Sequence, residues 1–253
     1  MRIKLIPLYI TLIIFGIVAI EYSEAQVDPE FIVGLWTLDE GEGDIAGDSS
    51  ENGRDGTVEN AEWDDGQFGK CLSFEKGDTV VVPLGSGVVR DQVSVILWLK
   101  FLNLSGQQNY FSIWDNSDNR YVPYKTDGNE LRFWSNNWNV GSGFIVEKNT
   151  WYHVANVYDG ETASIYVNGE LQVSQPGAFT LNDNEQSSWF ATDNGGWLSE
   201  CVEDEIGIFN TALTEDEVNR IMEHGILWAL GGASVDKLNK ISAVWGMIKT
   251  IAD

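Results

Sequence analysis

The sequence predicts an all-β sandwich of antiparallel strands closed by one short helix near the C-terminal end, and three observations carry that reading. Short runs of alternating apolar and polar residues recur along the chain, each bounded by turns built from Gly, Asn and Asp. A helical period is absent until about residue 214. The composition fits as well: 253 residues with 26 Gly, five Pro and 12% aromatic residues suit one turn-rich domain with a full core.

Charge excludes several partners. The chain carries 39 acidic against 15 basic residues, a formal charge of −24, which repels a phosphate backbone or an anionic membrane surface; no nucleic acid is expected as a partner. Only 21% of residues are charged, which argues against disorder despite the acidity. Two His and two Cys, widely separated, argue against a His/Cys zinc site.

Residues 1–25 read as a signal peptide. Arg2 and Lys4 open it, an apolar run follows from Leu5 to Ile20, and Ser23-Glu24-Ala25 offers small residues where a signal peptidase reads. The run is 16 residues long with Pro7 inside it, short for a membrane span. The expectation is a secreted, extracellular or periplasmic chain starting at Gln26, with no membrane span after cleavage. In an oxidising compartment Cys71 and Cys201 are the one available disulfide pair; two buried free thiols are the alternative.

The strands follow in order. Cys71-Leu-Ser-Phe74 is strand-like, and Val93–Phe101 alternates with Val93, Val95, Leu97, Leu99 and Phe101 on one face. Tyr121-Val-Pro-Tyr124 and Leu131-Arg-Phe-Trp134 flank Asp127-Gly128 as a hairpin candidate. Trp151–Tyr158 turns at Asp159-Gly160, returns through Ala163–Val167, and turns again at Asn168-Gly169 before Leu171-Gln-Val173. Asn-Gly between alternating runs is a strong hairpin signal, because both turn residues need positive φ. Cys201–Ile206 is a further strand.

Thr214-Glu-Asp-Glu217 is a capping box: the Thr hydroxyl accepts a backbone N–H while Glu217 reaches back. Val218, Ile221 and Met222 form the apolar stripe of that helix, and Gly225 ends it. The domain is therefore read as residues 26–225, with 226–253 a separate tail. The tail has Val235, Leu238, Ile241, Trp245 and Ile248 at helical spacing with Lys237, Lys240 and Lys249 between them. It reads as an amphipathic helix, or as a segment that packs back on the sandwich or frays.

Several segments together resemble a known family. Gly34-Leu-Trp-Thr-Leu-Asp-Glu-Gly-Glu-Gly43, then Asp48-Ser-Ser-Glu-Asn-Gly53, Phe68-Gly-Lys-Cys-Leu-Ser-Phe74 and Val93-Ser-Val-Ile-Leu-Trp98 are similar in type and order to a LamG-like (laminin G-type, concanavalin A-like) domain. Trp151-Tyr-His-Val-Ala155, Ile165-Tyr-Val-Asn-Gly169 and Asp204-Glu-Ile-Gly-Ile-Phe-Asn210 continue the set. The resemblance implies a jelly-roll sandwich of two antiparallel sheets whose first and last strands are neighbours, which would bring Cys71 towards Cys201. It also implies a structural calcium ion, Ca2+, near the opening loop, held by Asp48 and Asp204, with Asn52 as a third ligand. Hard oxygen ligands on a tight Gly-containing loop suit that ion; the alternative makes Asp48 a turn former and Asp204 an ordinary strand carboxylate.

Catalytic motifs are missing: no Gly-x-Ser-x-Gly elbow, no dinucleotide fingerprint and no P-loop. Glycoside hydrolysis needs two carboxylates on one face. Glu203, Asp204 and Glu205 are consecutive, so alternation leaves Glu203 and Glu205 on one face with Asp204 on the other. The expectation is that the chain is not an enzyme, with a glycoside hydrolase as the second alternative.

The tryptophans supply the remaining expectation. Eleven are present; Trp114, Trp134, Trp138 and Trp197 lie in or beside Asp/Asn-rich segments containing Asp115, Asn119 and Asn194. Arg132 shares the face of Trp134. An aromatic surface beside amides and carboxylates suits a sugar ring, so these eight residues are the candidate ligand site. The expected function is a secreted, calcium-stabilised, non-catalytic module that binds carbohydrate. The first alternative is adhesion to a cell-surface protein.

Overall fold

A computed structural model describes residues 27–117, 119–135, 138–179 and 181–231; the proposed signal peptide and most of the tail lie outside the described residues. In chain order the first strands are β1 (Ile32–Trp36), β2 (Ile45–Ala46), β3 (Gly56–Glu59), β4 (Glu62–Asp65), β5 (Lys70–Phe74) and β6 (Thr79–Ser86). Next come β7 (Val93–Phe101), β8 (Gln108–Asn109), β9 (Phe111–Trp114), β10 (Arg120–Lys125), β11 (Glu130–Ser135) and β12 (Trp138–Ile145). The last are β13 (Trp151–Tyr158), β14 (Thr162–Val167), β15 (Glu170–Pro176), β16 (Glu185–Phe190) and β17 (Cys201–Phe209).

They form two antiparallel sheets. One runs β15-β14-β13-β7-β17-β5-β4, with β1 also paired to β17; the other runs β12-β11-β10-β9-β16-β6-β3-β2, with β8 on β10. The first strand does lie beside the last, Trp36 opposite Ile206. The alternating residues expected on β7 all reach the space between the sheets. Val93, Val95, Leu97, Leu99 and Phe101 are buried there with Trp36, Phe74, Phe111, Phe133 and Phe190. The Asn168-Gly169 turn has φ of 51° and 81°, the mirror-image turn that matches strand twist.

A second apolar cluster covers the outer face of the eight-stranded sheet. Helix α1 (Glu215–His224) starts at the Thr214 capping box, with both reciprocal bonds made. Its Val218 and Ile221 pack on Ile32, Leu35, Ile96, Val157 and Phe209. The chain past Gly225 stays in this cluster as a 3-10 turn over Ile226–Leu230, burying Ile226, Trp228 and Ala229. The folded unit thus runs through Gly231, further than the helix stop at Gly225 suggests. No helix among the described residues is long and apolar enough to cross a membrane.

Two sequence expectations are corrected here. Cys71 and Cys201 are free, buried thiols, not a disulfide. On the paired strands Cys201 stands opposite Phe74 and Glu203 opposite Leu72. Cys71 is therefore three positions, about 10 Å, from Cys201, beyond the roughly 7 Å that a disulfide spans. An odd offset also puts them on opposite faces: Cys201 belongs to the core between the sheets, and Cys71 turns away from it. Burial pushes the Cys71 thiol up to about 12, and burial likewise raises Cys201.

The second correction concerns Glu203 and Glu205, which do not share a face. The β7 register shifts between Asp204 and Gly207, and Glu205 has φ 57°. The bulge puts Asp204 and Glu205 on the outside together. Glu203 reaches inward, where its Oε1 accepts the Ala191 N–H at 3.2 Å. Glu205 reaches the helical side, where its Oε2 accepts the Ile226 N–H.

Candidate functional site

The outer face of the nine-stranded sheet is built by the same alternation that fills the core. Leu131 and Phe133 of β11 point inward, so Arg132 and Trp134 point out. Tyr121 of β10 sends its hydroxyl across the core to the Asn156 carbonyl, 2.8 Å away. Its neighbours Arg120, Val122 and Tyr124 therefore face outward. On β12 Asn139 stands opposite Trp134 and joins the same face.

Arg120, Val122, Tyr124, Trp134 and Asn139 line a cleft of about 340 Å3, completed by Gln107, Asn109, Asp193 and Trp197. The last two arrive on the turn between β16 and β17. Asn109 N–H donates to the Trp197 carbonyl at 2.8 Å and Ser199 N–H to the Ala191 carbonyl at 2.9 Å, seating that turn against β8. Within it, Thr192 Oγ1 donates to the Gly196 carbonyl at 2.8 Å and accepts the Gly195 N–H at 3.2 Å. Ala191, Asn194 and Trp197 have φ of 61°, 56° and 46°. A left-handed bulky residue costs about 1–3 kcal/mol and persists only where its surroundings over-determine it. The Trp197 indole is nevertheless 59% exposed.

The cleft offers hydrogen-bonding groups between apolar rings. Asn139 Nδ2 donates to the Tyr124 hydroxyl at 2.6 Å, and Arg132 donates to Asn139 Oδ1 at 3.1 Å and to Glu130 Oε2 at 2.9 Å. The Arg120 guanidinium lies 3.6 Å over the Trp114 ring. Trp114 in turn meets Trp189 edge to face at 5.7 Å. Asp193 is 6% exposed, with its carboxylate beside the Asn109 side chain and the Gly196 backbone. Burial raises its carboxyl above the ordinary value, against the lowering effect of Arg120.

Of the eight residues expected at the ligand site, Trp134 and Trp197 line the cleft. Trp114 and Arg132 border it, through Arg120 and Asn139 respectively. Asn194 is the exposed tip of the same turn. Asp115 and Asn119 have a different task. Asp115 is fully buried and accepts from Ser117 N and Oγ, Asn119 Nδ2 and Asn182 N at 2.7–2.9 Å, which fixes the β9–β10 connection. Trp138 points to the opposite face, packing edge to face on Phe133 at 5.7 Å and Tyr158 at 5.9 Å. The sequence reading missed Gln107, Asn109, Arg120, Tyr124, Asn139 and Asp193. Alternation outward from Tyr121 and Val140 could have found Arg120, Tyr124 and Asn139.

The opening loop holds itself together with hydrogen bonds. Asp48 Oδ1 accepts from Leu35 N, Ser50 N and Ser50 Oγ at 2.6–3.1 Å, and its Oδ2 accepts from Arg54 N at 3.0 Å. Asn52 Nδ2 donates to the Ile32 and Val33 carbonyls. Asp204 is fully buried and accepts the Phe68 N–H at 2.8 Å. These bonds brace the opening loop on β1 and seat Asp204 against the turn between β4 and β5. Among the described residues no group of three or more His, Cys, Asp or Glu is placed to hold a metal.

The comparisons with known proteins agree with this architecture. The family model described as the concanavalin A-like lectin/glucanases superfamily matches residues 74–219. No curated protein matches the sequence. Among solved structures, domain 4 of AbnA, a GH43 extracellular arabinanase from Geobacillus stearothermophilus in complex with arabinotriose, is similar with a TM-score of 0.67 at 20% identity. The match covers 76% of this chain and 98% of that one. A Trypanosoma rangeli sialidase mutant displaying trans-sialidase activity is similar with a TM-score of 0.63 at 16% identity, over 83% of this chain and 35% of that one. A third match is Trypanosoma rangeli sialidase in complex with 2,3-difluorosialic acid, with a TM-score of 0.61 at 17% identity over 78% of this chain. The chain spans about a third of the length of these sialidases. At these identities the likeness is one of fold.

Proposed function

The chain belongs to the concanavalin A-like lectin/glucanase superfamily, and from that premise we propose that it is a non-catalytic carbohydrate-binding module whose glycan lies in the outer cleft of the nine-stranded sheet. One observation carries the reading: Trp134, Trp197 and Tyr124 converge with Gln107, Asn109 and Asn139 in one concavity. Rings that stack on sugar faces, alternating with amides that both donate and accept, are what a carbohydrate demands of a surface. The arabinotriose bound to the arabinanase domain supports the same class of ligand.

The non-catalytic part rests on the carboxylates. Glycosidases commonly place two carboxyl groups about 5–9 Å apart around the bond to be cut. Among the described residues Asp193 is the one carboxylate lining the cleft, and the bulge sends Glu203 and Glu205 to opposite sides of their sheet. Adhesion to a cell-surface protein, the rival reading, expects Trp114 and Trp134 to be buried; both are partly exposed.

The test is a titration of the protein with arabinotriose and a panel of other oligosaccharides, followed by calorimetry, with Trp134→Ala alongside. Saturable binding lost in Trp134→Ala supports the reading. Binding indifferent to Trp134, silence from a folded sample, or release of cleaved sugar contradicts it.

A further inference from the structure

We propose that the turn from Ala191 to Trp197 makes the cleft selective for an uncharged glycan, with Asp193 accepting hydrogen bonds from neighbouring sugar hydroxyls and Trp197 covering the ring. The inference rests on the cleft being a glycan site and adds the ligand's charge class and the groups that choose it.

Charge is the first ground. The chain as a whole carries −24, yet among the described residues the cleft contains one cation, Arg120, and one anion, Asp193, among amides and rings. The Arg120 charge steadies the Asp193 carboxylate. An acidic sugar approaches against the field of the whole molecule. It could reach Arg120 only by competing with Asp193, leaving a buried carboxylate without its counter-charge. A neutral hydroxyl disturbs nothing, because it donates and accepts at once.

Position points the same way. Asp193 lines the cleft with its carboxylate seated against the Asn109 side chain and the Gly196 backbone. A carboxylate at a cleft wall accepts hydrogen bonds and donates none, and a sugar hydroxyl supplies the donor. Gly196 lets the turn close on that carboxylate: a Cβ there would stand 2.6 Å from Oδ1. Order adds to this. The Trp197 backbone is fixed, since its carbonyl accepts the Asn109 N–H and the turn beneath it is cross-braced through Thr192. A ring carried on a backbone ordered before binding loses less freedom on stacking.

The experiment compares the protein with Asp193→Asn and Trp134→Ala by calorimetry. The neutral probes are arabino-, xylo-, gluco- and manno-oligosaccharides; the acidic probes are oligogalacturonate and sialyllactose. The unaltered protein should bind a neutral probe at least about tenfold more tightly than either acidic one. Asp193→Asn should weaken that binding about ten- to a hundredfold, the loss of a charge-assisted hydrogen bond, with its thermal unfolding midpoint nearly unchanged. Preference for an acidic probe overturns the proposal without need of a variant. Binding that Asp193→Asn changes less than about twofold while Trp134→Ala removes it overturns the role of Asp193 and leaves the cleft as the glycan site. Failure of every probe overturns both.

Discussion

Replacing Glu203 by Gln should stabilise the protein at neutral and alkaline pH, by an amount that grows with pH. Glu203 is fully buried in the core. Its Oε1 takes the Ala191 N–H at 3.2 Å and the Cys201 thiol at 3.4 Å, while Oε2 has no hydrogen-bond partner in the chain. Burial pushes the carboxyl from its ordinary 4.5 up to about 8. Between those two values the folded protein keeps a proton that the unfolded chain has released, so stability falls as pH rises from about 4.5 to about 8. Each pH unit in that window costs about 1.4 kcal/mol. The cost is on the order of 3 kcal/mol at pH 7 and 5 kcal/mol above pH 8. Glutamine keeps the oxygen that receives Ala191 N–H and has no proton to lose. Urea unfolding followed by tryptophan emission at intervals from pH 5 to pH 9 gives the difference between the two proteins directly. Subtraction removes the slope contributed by the other carboxylates. The expected difference is small at pH 5, rises by about 1.4 kcal/mol per unit, and levels off near pH 8. Parallel curves across that range would refute the reasoning.

Four further outcomes follow from the same structure. His153 is buried beside Trp98, 5.2 Å between rings, and burial lowers it from 6.5 to about 3. Its neutral form is the folded one, so stability is lost as pH falls below about 6.5; His153→Gln should lessen that acid slope in the same urea series. Thr214→Ala should cost about 1 kcal/mol by removing the cap of α1, measured as a lower urea midpoint; no change would mean that the helix end is held by packing alone. Neither cysteine should react with a thiol reagent before unfolding, and both should react after it; a mass showing two fewer hydrogens would contradict the free thiols. Chelator should leave the thermal midpoint in place, because Asp48 already holds four donors; a shift of several degrees reversed by calcium would return the ion to the opening loop.

What the sequence disclosed was whatever depends on neighbours along the chain. Alternation on β7 and the Asn168-Gly169 turn are local, and so is the Thr214 capping box; each appears as read. The disulfide was misjudged because its feasibility depends on the register between β5 and β17, and one odd offset separates the two thiols across a sheet. The Glu203–Glu205 alternation failed at a bulge where a glutamate takes positive φ, which no turn residue announces. At the site, Trp134 could be placed outward from Leu131 and Phe133. Trp138 stands opposite Ser135, so it shares the inward face instead. Asp193 and Trp197 meet β10 and β11 through the docking of their turn on β8, where Ser199 bonds Asn109, 90 positions away in sequence.

The central claim is that a glycan sits between Trp134 and Trp197, and the indole resonances of the tryptophans test it most directly. In an isotope-labelled sample titrated with the tightest-binding oligosaccharide of the panel, the Trp134 and Trp197 indole N–H signals should move together and saturate. Those of Trp36 and Trp98, buried on the other side of the core or beneath it, should stay in place. Saturable shifts confined to tryptophans outside the cleft, or none with any sugar tried, would contradict the account.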